Sequence, residues 1–421
     1  MVKLPKISNP YLCGFILMMG GIDMGLGLVY SSFTLTPISN KFGLTKTEST
    51  MFNVVGYLCA MIGSIFITPF VNRFGKRWTG FCVAIYGMIV WIVLGLSQNK
   101  PMVFVFRGLT GMTIGLYSTI TPSFIAEVAP AGKKNLFGFM NQIGFALGFL
   151  TVTILGALID WRYTSIICCF PSVIIACGIL FIPEQENKEI KVSLGQVCKY
   201  KKELLIAFLC MFFLQFSGIN AVMSNMQIII TNAKINIKTS VVGILTNIVQ
   251  LIATCISAVV VDRLGTITCW ITSACGQLIA FLLLCLHQKC KLNSWVFMVG
   301  LFLEQLSYGI GTGPIPFSTA SNIFRVELRA TAMSIAGAEN WGLGTLVVLI
   351  WPYLESGLTL GYAFLFFLGI QILSIIFGSI VFRKPTEAKD AAATEEESNS
   401  YDEETENMKR KLSYAGVIPE L

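Results

Sequence analysis

The sequence predicts an all-α integral membrane protein of 12 transmembrane helices, arranged as two six-helix halves related by a pseudo-two-fold axis along the membrane normal. Composition is the first reason: 54% of the 421 residues are hydrophobic, only 13% are charged, and mean hydropathy is +0.72. Soluble domains carry roughly 25% charged residues, because their surfaces must be wetted. The second reason is a series of apolar runs, each able to cross about 30 Å of hydrocarbon, for which a helix needs about 20 residues. The third is recurrence, since a short basic loop after the second run returns after the eighth.

The runs begin near Leu12, Met51, Thr79, Met102, Leu136 and Thr164, and again near Leu204, Val241, Ile267, Trp295, Ala330 and Gly361. Lys3 and Lys6 precede the first, but it continues to about Thr36 without a small-residue cleavage site, so it reads as a span and not as a leader. Six runs on each side divide the chain into a first half at 1–182, a polar cytoplasmic linker at 183–203, a second half at 204–384 and a tail at 385–421. The linker is rich in Glu and Lys and is long enough for one or two amphipathic helices. In the tail, the acidic block Glu395–Glu406 precedes Lys409-Arg410-Lys411, a composition that cannot bury a core and is expected to be disordered.

Asn72-Arg73-Phe74-Gly75-Lys76-Arg77 follows the second run, and Asp262-Arg263-Leu264-Gly265 follows the eighth. Glu127 and Lys134 after the fourth run share their spacing with Asn322 and Arg329 after the tenth. Chance recurrence of short basic loops is one explanation; duplication into two parallel repeats, the arrangement of secondary transporters, explains both pairs. The tenth run contains Gly311-Thr312-Gly313-Pro314-Ile315-Pro316 within an apolar stretch from about Trp295 to Phe324. Two prolines and two glycines stop a helix where no water is available, and irregular backbone at that depth is tolerated only where it is buried in protein or lines a cavity.

With both termini cytoplasmic, Arg73, Lys76, Arg77, Lys133, Lys134, Arg263, Arg325 and Arg329 fall in inner loops, while Lys41, Lys46, Lys100, Arg162 and Lys289 fall outside. Over all loops the bias is about two to one, which sets the orientation. The net charge of +7 is therefore a topology signal and not a nucleic-acid footprint. The 13 cysteines are scattered, mostly within apolar runs, and His287 is the single histidine, so no metal set or disulfide framework is predicted. The same scarcity argues against an enzyme: no nucleophile with a base and no phosphate loop is present. No cofactor is expected.

Taken in order, several segments carry a family resemblance: residues 72–77; Arg107-Gly108; Pro122; Glu127-Val128-Ala129-Pro130; Gln142; Gln215-Phe216-Ser217-Gly218-Ile219-Asn220; Asp262-Arg263-Leu264-Gly265; Gly313-Pro314-Ile315-Pro316; and Asn340-Trp341. From about Gly20 to Arg383 the chain resembles the sugar porter family of the major facilitator superfamily, which contains facilitative glucose transporters and proton-coupled sugar symporters. The resemblance implies a major facilitator fold and transport of a monosaccharide, with glucose the leading candidate.

Residue chemistry agrees with that implication. Sugar hydroxyls donate and accept at once, as carboxamides do, and the ring faces pack on apolar or aromatic surface. Gln142, Gln215, Asn220, Gln250 and Asn340 fall within predicted spans, so a shared polar cavity is expected, with simple helix-to-helix hydrogen bonds as the alternative for each. The resemblance puts these five at sugar-contacting positions, with Phe317 and Trp341 beside them. It also marks departures: Leu214 precedes Gln215 where a second glutamine is usual, Ser224 and Asn225 stand for tyrosines, Phe317 for a tryptophan and Gly309 for an acid.

Gly218, Gly313, Pro314 and Pro316 supply bends for gating. Arg73, Arg77, Glu127, Lys134, Asp262, Arg263 and Arg329 form a candidate inner gate, ordinary positive-inside anchoring being the alternative. Proton-driven relatives carry an aspartate two residues after a glycine in the first span; Gly27 occupies that position here. Asp23 is the weak candidate for proton coupling, with solvation at the outer end as the alternative, so passive uniport by alternating access is favoured. Other readings left open are a proton-coupled sugar symporter, a polyol or disaccharide transporter and a non-transporting sugar sensor. The expected location is the plasma membrane, with a small-molecule sugar and the lipid bilayer as partners and no nucleic acid.

Overall fold

The computed structural model describes residues 6–130, 133–184, 194–232, 237–324 and 326–382. The tail, linker residues 185–193, and the side chains of Lys134 and Arg329 lie outside the described residues.

The first half opens with α1, Pro10–Phe42, capped by Asn9, whose side chain accepts from Tyr11 N, with Pro10 at the start where no amide hydrogen is needed. Thr45 and Glu48 form a reciprocal capping box at the start of α2, Lys46–Gly95. At 50 residues α2 is about twice one crossing, and it is interrupted at Gly75, where φ is 79° and ψ 167°. Then come α3, Lys100–Val128, and α4, Lys134–Leu158. The sixth span is two pieces, α5, Trp161–Ile167, and α6, Phe170–Gly178, restarted by Pro171.

After the short α7, Leu194–Val197, the second half begins with α8, Lys201–Gln215, α9, Ile219–Ser224, and α10, Met226–Asn232, which together make one broken span. Next is α11, Thr239–Cys290, whose 52 residues are interrupted at Gly265 with φ 78° and ψ 157°. The broken tenth span is α12, Ser294–Ile310, followed by α13, Pro314–Ile323; α14, Val326–Val381, contains apolar spans at Thr331–Leu354 and Gly361–Val381. Counting α2, α11 and α14 as two spans each gives the 12 crossings among the described residues. Gly75 and Gly265 hold equivalent places in the two basic loops with nearly the same left-handed dihedrals, which non-glycine residues adopt only at a cost. The sequence repeat is thus a repeat in backbone geometry.

Large apolar side chains such as Ile65, Phe66, Phe70, Val259 and Ile376 are exposed, as a lipid-facing surface requires. Inside, helices approach closely across small residues. A Cβ built on Gly111 of α3 would lie 2.6 Å from the Gly56 Cα of α2, so this crossing tolerates no side chain.

The halves touch toward both ends. Toward the Gly75 end, Ser334 Oγ of α14 donates to the Ser64 carbonyl of α2 at 2.7 Å. Toward the opposite end, Asn247 Nδ2 of α11 donates to Thr153 Oγ1 of α4 at 2.8 Å. The two halves therefore meet on both sides of the cavity. Because Gly111 meets α2 backbone and not a movable side chain, Gly111→Val is expected to destabilise the first half by about 1–3 kcal/mol, read as a lower melting temperature and a reduced monodisperse fraction in detergent; unchanged values contradict this packing.

Candidate functional site

The break after α8 aims two carboxamides at one place. Gly218 adopts φ 93°, which turns the chain between Gln215 and Asn220. The loosened backbone is held by neighbours: Gln371 Nε2 donates to the Ser217 carbonyl at 3.3 Å and Ser217 Oγ to the Leu214 carbonyl at 2.7 Å. Asn220 Nδ2 then donates to Gln215 Oε1, and Gln215 Nε2 to Asn340 Oδ1 of α14 at 2.7 Å. Each amide thereby fixes the next, and outer donor and acceptor atoms remain for a guest.

These amides border a cavity between the halves. The first half contributes Met24 and Leu28 from α1 and Asn141, Gln142 and Phe145 from α4; the second contributes Leu214, Gln215, Asn220, Tyr308, Phe317, Asn340 and Trp341. Such a mixture, a few convergent polar groups on an apolar and aromatic wall, suits a small polyhydroxyl compound. Trp341 Nε1 donates to Ser118 Oγ of α3 at 3.0 Å, which ties one wall to the opposite half. Gln142 of the first half reaches the Tyr308 hydroxyl of the second with its side-chain amide.

The second break, residues 311–313, is braced by hydroxyls of α11. Ser257 Oγ donates to the Ile310 carbonyl at 2.5 Å, Thr312 N donates to Ser273 Oγ at 2.9 Å, and Thr312 Oγ1 donates to Gln277 Oε1 at 2.9 Å. Gly313 N reaches the Tyr308 carbonyl at 3.0 Å. Pro314 and Pro316 then open α13, which brings Phe317 to the cavity.

Six of the seven expected binding residues, Gln142, Gln215, Asn220, Phe317, Asn340 and Trp341, meet at this cavity. Gln250 does not line it; the residue is fully buried on α11 with both amide atoms unpartnered. Asn141 and Tyr308, which sequence reasoning passed over, do line it. Asn141 is adjacent to Gln142, and Tyr308 lies just before the break, the signals by which they were recognisable.

Solvation of Asp23 is overturned. The residue is 0% exposed and accepts from Thr113 Oγ1 at 3.0 Å, Ser172 Oγ at 3.0 Å and Trp91 Nε1 at 3.2 Å, all within the first half. Buried Arg107 donates to the Gly27 carbonyl at 2.7 Å and lies over the rings of Tyr30 and Phe52.

At the Gly75 end, Lys76 Nζ pairs with Glu127, Lys76 N donates to Glu184 Oε1 at 2.5 Å, and Arg77 donates to the Leu180 carbonyl. These contacts join the first half to itself and to the start of the linker. Arg73 packs on Phe74, and Asp262 and Arg263 are exposed on the second half.

The family described as sugar (and other) transporter matches residues 15–187 and 184–389. The chain belongs to this sugar transporter family. Curated relatives include sugar transporter ERD6-like 6 of Arabidopsis thaliana, 25% identical over 390 residues and covering 80% of each chain. Rat solute carrier family 2, facilitated glucose transporter member 3, is 25% identical over 393 residues, covering 80% of this chain and 79% of the relative. Glucose transporter GlcP of Staphylococcus epidermidis is 24% identical over 416 residues, covering 88% and 93%. Among solved structures, the major facilitator proton:xylose symporter XylE bound to 6-bromo-6-deoxy-D-glucose superposes with a TM-score of 0.76 at 19% identity, covering 88% of this chain and 95% of XylE. The fold is thus the major facilitator fold, and membership of the sugar transporter family makes the protein a multi-pass membrane carrier and not an enzyme.

Within this sugar transporter, Gly218→Ala imposes a left-handed backbone cost of about 1–2 kcal/mol. It also sets a Cβ 2.7 Å from Phe281 Cζ and 3.1 Å from Phe367 Cγ. The expected outcome is a variant that inserts but melts several degrees lower and loses ligand-induced thermal stabilisation; wild-type melting and stabilisation contradict this role for the break.

Proposed function

We propose that this protein carries a hexose, D-glucose foremost, across the plasma membrane by facilitated diffusion, through alternating access of its two halves, with both termini cytoplasmic. The observation that carries the reading is the cavity between the halves, in which the Gln215, Asn220 and Asn340 amides of one half face Gln142 and Asn141 of the other beneath Trp341 and Phe317. A pyranose presents hydroxyls around its rim and carbon–hydrogen faces above and below, matching amides and aromatic walls respectively. The relatives, sugar and glucose transporters, support the substrate class.

Alternating access follows from how the halves are joined. Polar contacts between the halves are neutral hydrogen bonds, Ser334 to Ser64 and Trp341 to Ser118 on one side and Asn247 to Thr153 and the Phe149 carbonyl on the other. Each is worth about 0.5–1.5 kcal/mol net, so one end can part while the other holds. Gly218, Gly313, Pro314 and Pro316 provide the local bends, and the Lys76–Glu127 pair and its neighbours stiffen the first half as it rocks. The loop arginines and lysines support the orientation.

Passive transport rests on the first span. Gly27, where proton-driven relatives carry an aspartate, gives its carbonyl to Arg107, while Asp23 is held by three neutral donors away from the cavity lining. Counterflow of radiolabelled D-glucose in proteoliposomes tests the whole reading. Saturable counterflow without a pH gradient is expected, and Asn220→Ala or Gln142→Ala is expected to raise the apparent KM about tenfold, equivalent to about 1.4 kcal/mol, with membrane insertion intact. Normal kinetics in both variants contradict the site; uptake that concentrates sugar only under a pH gradient replaces uniport with symport.

A further inference from the structure

The second half holds a buried polar cluster that the carrier reading leaves unused. Glu304 of α12 is 0% exposed. Its Oε2 accepts from Gln305 Nε2 at 2.7 Å, and the Gln277 amide of α11 stands beside the carboxyl. Glu304 Oε1 and Gln305 Oε1 are both buried without a hydrogen-bond partner. Among the described residues, no lysine, arginine or histidine stands against this carboxyl. The titratable groups on its side are Tyr308, one turn further along α12, and beyond it Tyr57 of α2. From α9, Met223 Sδ lies 3.4 Å from Gln305 Nε2.

A carboxylate in this position has no charge to balance it, and an anion away from water is expensive unless paired. One proton removes the charge and also turns an acceptor into a donor. Gln305 N–H already donates to Oε2, and Gln277 Nε2 beside the carboxyl is also buried without a partner, whereas a proton on Oε1 supplies the O–H donor that the acceptor-only Gln305 Oε1 of this cluster lacks.

The cluster is also joined to the bend in the tenth span. Gln277, beside the carboxyl, accepts from Thr312 Oγ1 at 2.9 Å, and Thr312 N donates to Ser273 Oγ at 2.9 Å, so the residues joining α12 to α13 rest on the same network. Tyr308, between Glu304 and the break, lines the cavity.

We propose that Glu304 is a proton-binding site whose occupied form favours the conformation in which the halves meet on both sides of the cavity, making the proton an allosteric ligand that sets the rate of exchange and not a cargo. The proton comes from water that reaches the cluster when one end opens, and it returns to water when Glu304 is deprotonated. Occlusion favours the bound proton, so by linkage raising the pH lowers occupancy, disfavours the conformation through which every cycle passes, and slows exchange.

The transport arm of the test rests on the hexose reading; the spectroscopic arm does not. In proteoliposomes of the full chain with equal pH on both sides, D-glucose counterflow is expected to slow steadily from mildly acid to mildly alkaline buffer. Glu304→Gln, neutral at every pH, is expected to keep exchange and lose that dependence, while Asp23→Asn retains it. In sugar-free samples, infrared difference spectra between the two buffers are expected to show the C=O stretch of a protonated carboxyl that is lost in Glu304→Gln and kept in Asp23→Asn. A pH profile and a band both unchanged in Glu304→Gln overturn the proposal. If the wild type exchanges no glucose at any pH, the hexose reading fails and the infrared arm alone decides. If Glu304→Gln does not fold, Gln277→Leu serves instead: it is expected to shift both the band and the profile, and no shift in either overturns the proposal.

Discussion

Backbone amides and carbonyls have no water to bind within a bilayer, so each must find a partner inside the protein. Continuous helices satisfy this by themselves, whereas a carrier needs helices that break. The structure meets the conflict with side chains: Gln371 covers the Ser217 carbonyl, Ser257 covers the Ile310 carbonyl, and Ser273 accepts from the Thr312 amide. Those repairs permit the two breaks, and the breaks position the carboxamides and aromatics of the cavity. Hydroxyl and amide side chains at these points are therefore as much a part of the site as the residues lining it.

The two halves divide the work unevenly. In the first, charged and buried polar groups are locked into internal contacts, Lys76 with Glu127, Asp23 with three neutral donors and Arg107 with backbone carbonyls. In the second lie the two breaks that border the cavity, the linked amides Gln215, Asn220 and Asn340, and the Glu304 cluster. In the proposed alternating-access cycle this division assigns the fixed wall to the first half and the bends to the second.

Much of this was legible in the sequence because membranes impose simple patterns. Apolar runs reported the spans, and the glycine shared by the two basic loops reported the repeat, which reappears as matching dihedrals at Gly75 and Gly265. The amides at Gln142, Gln215, Asn220 and Asn340 were conspicuous, since few polar groups enter hydrocarbon without a purpose. Helix rotation was not legible. A span buried in the bundle is apolar on most faces, so nothing in its periodicity says whether Gln250 turns to the cavity or into the packing between helices. Depth was equally hidden for Asp23, whose partners Trp91, Thr113 and Ser172 come from three other spans, and for Glu304, whose isolation is a property of the packed bundle alone.

Trp341 lies on the cavity wall between the halves, and its indole answers the central claim, that a hexose binds there, without requiring transport. The decisive measurement is a titration of the purified protein with D-glucose and L-glucose, following tryptophan emission in the wild type and in Trp341→Phe. A saturable change is expected with D-glucose, absent with L-glucose and absent in Trp341→Phe. A flat D-glucose titration, an equal response to both enantiomers, or a response that survives in Trp341→Phe contradicts it.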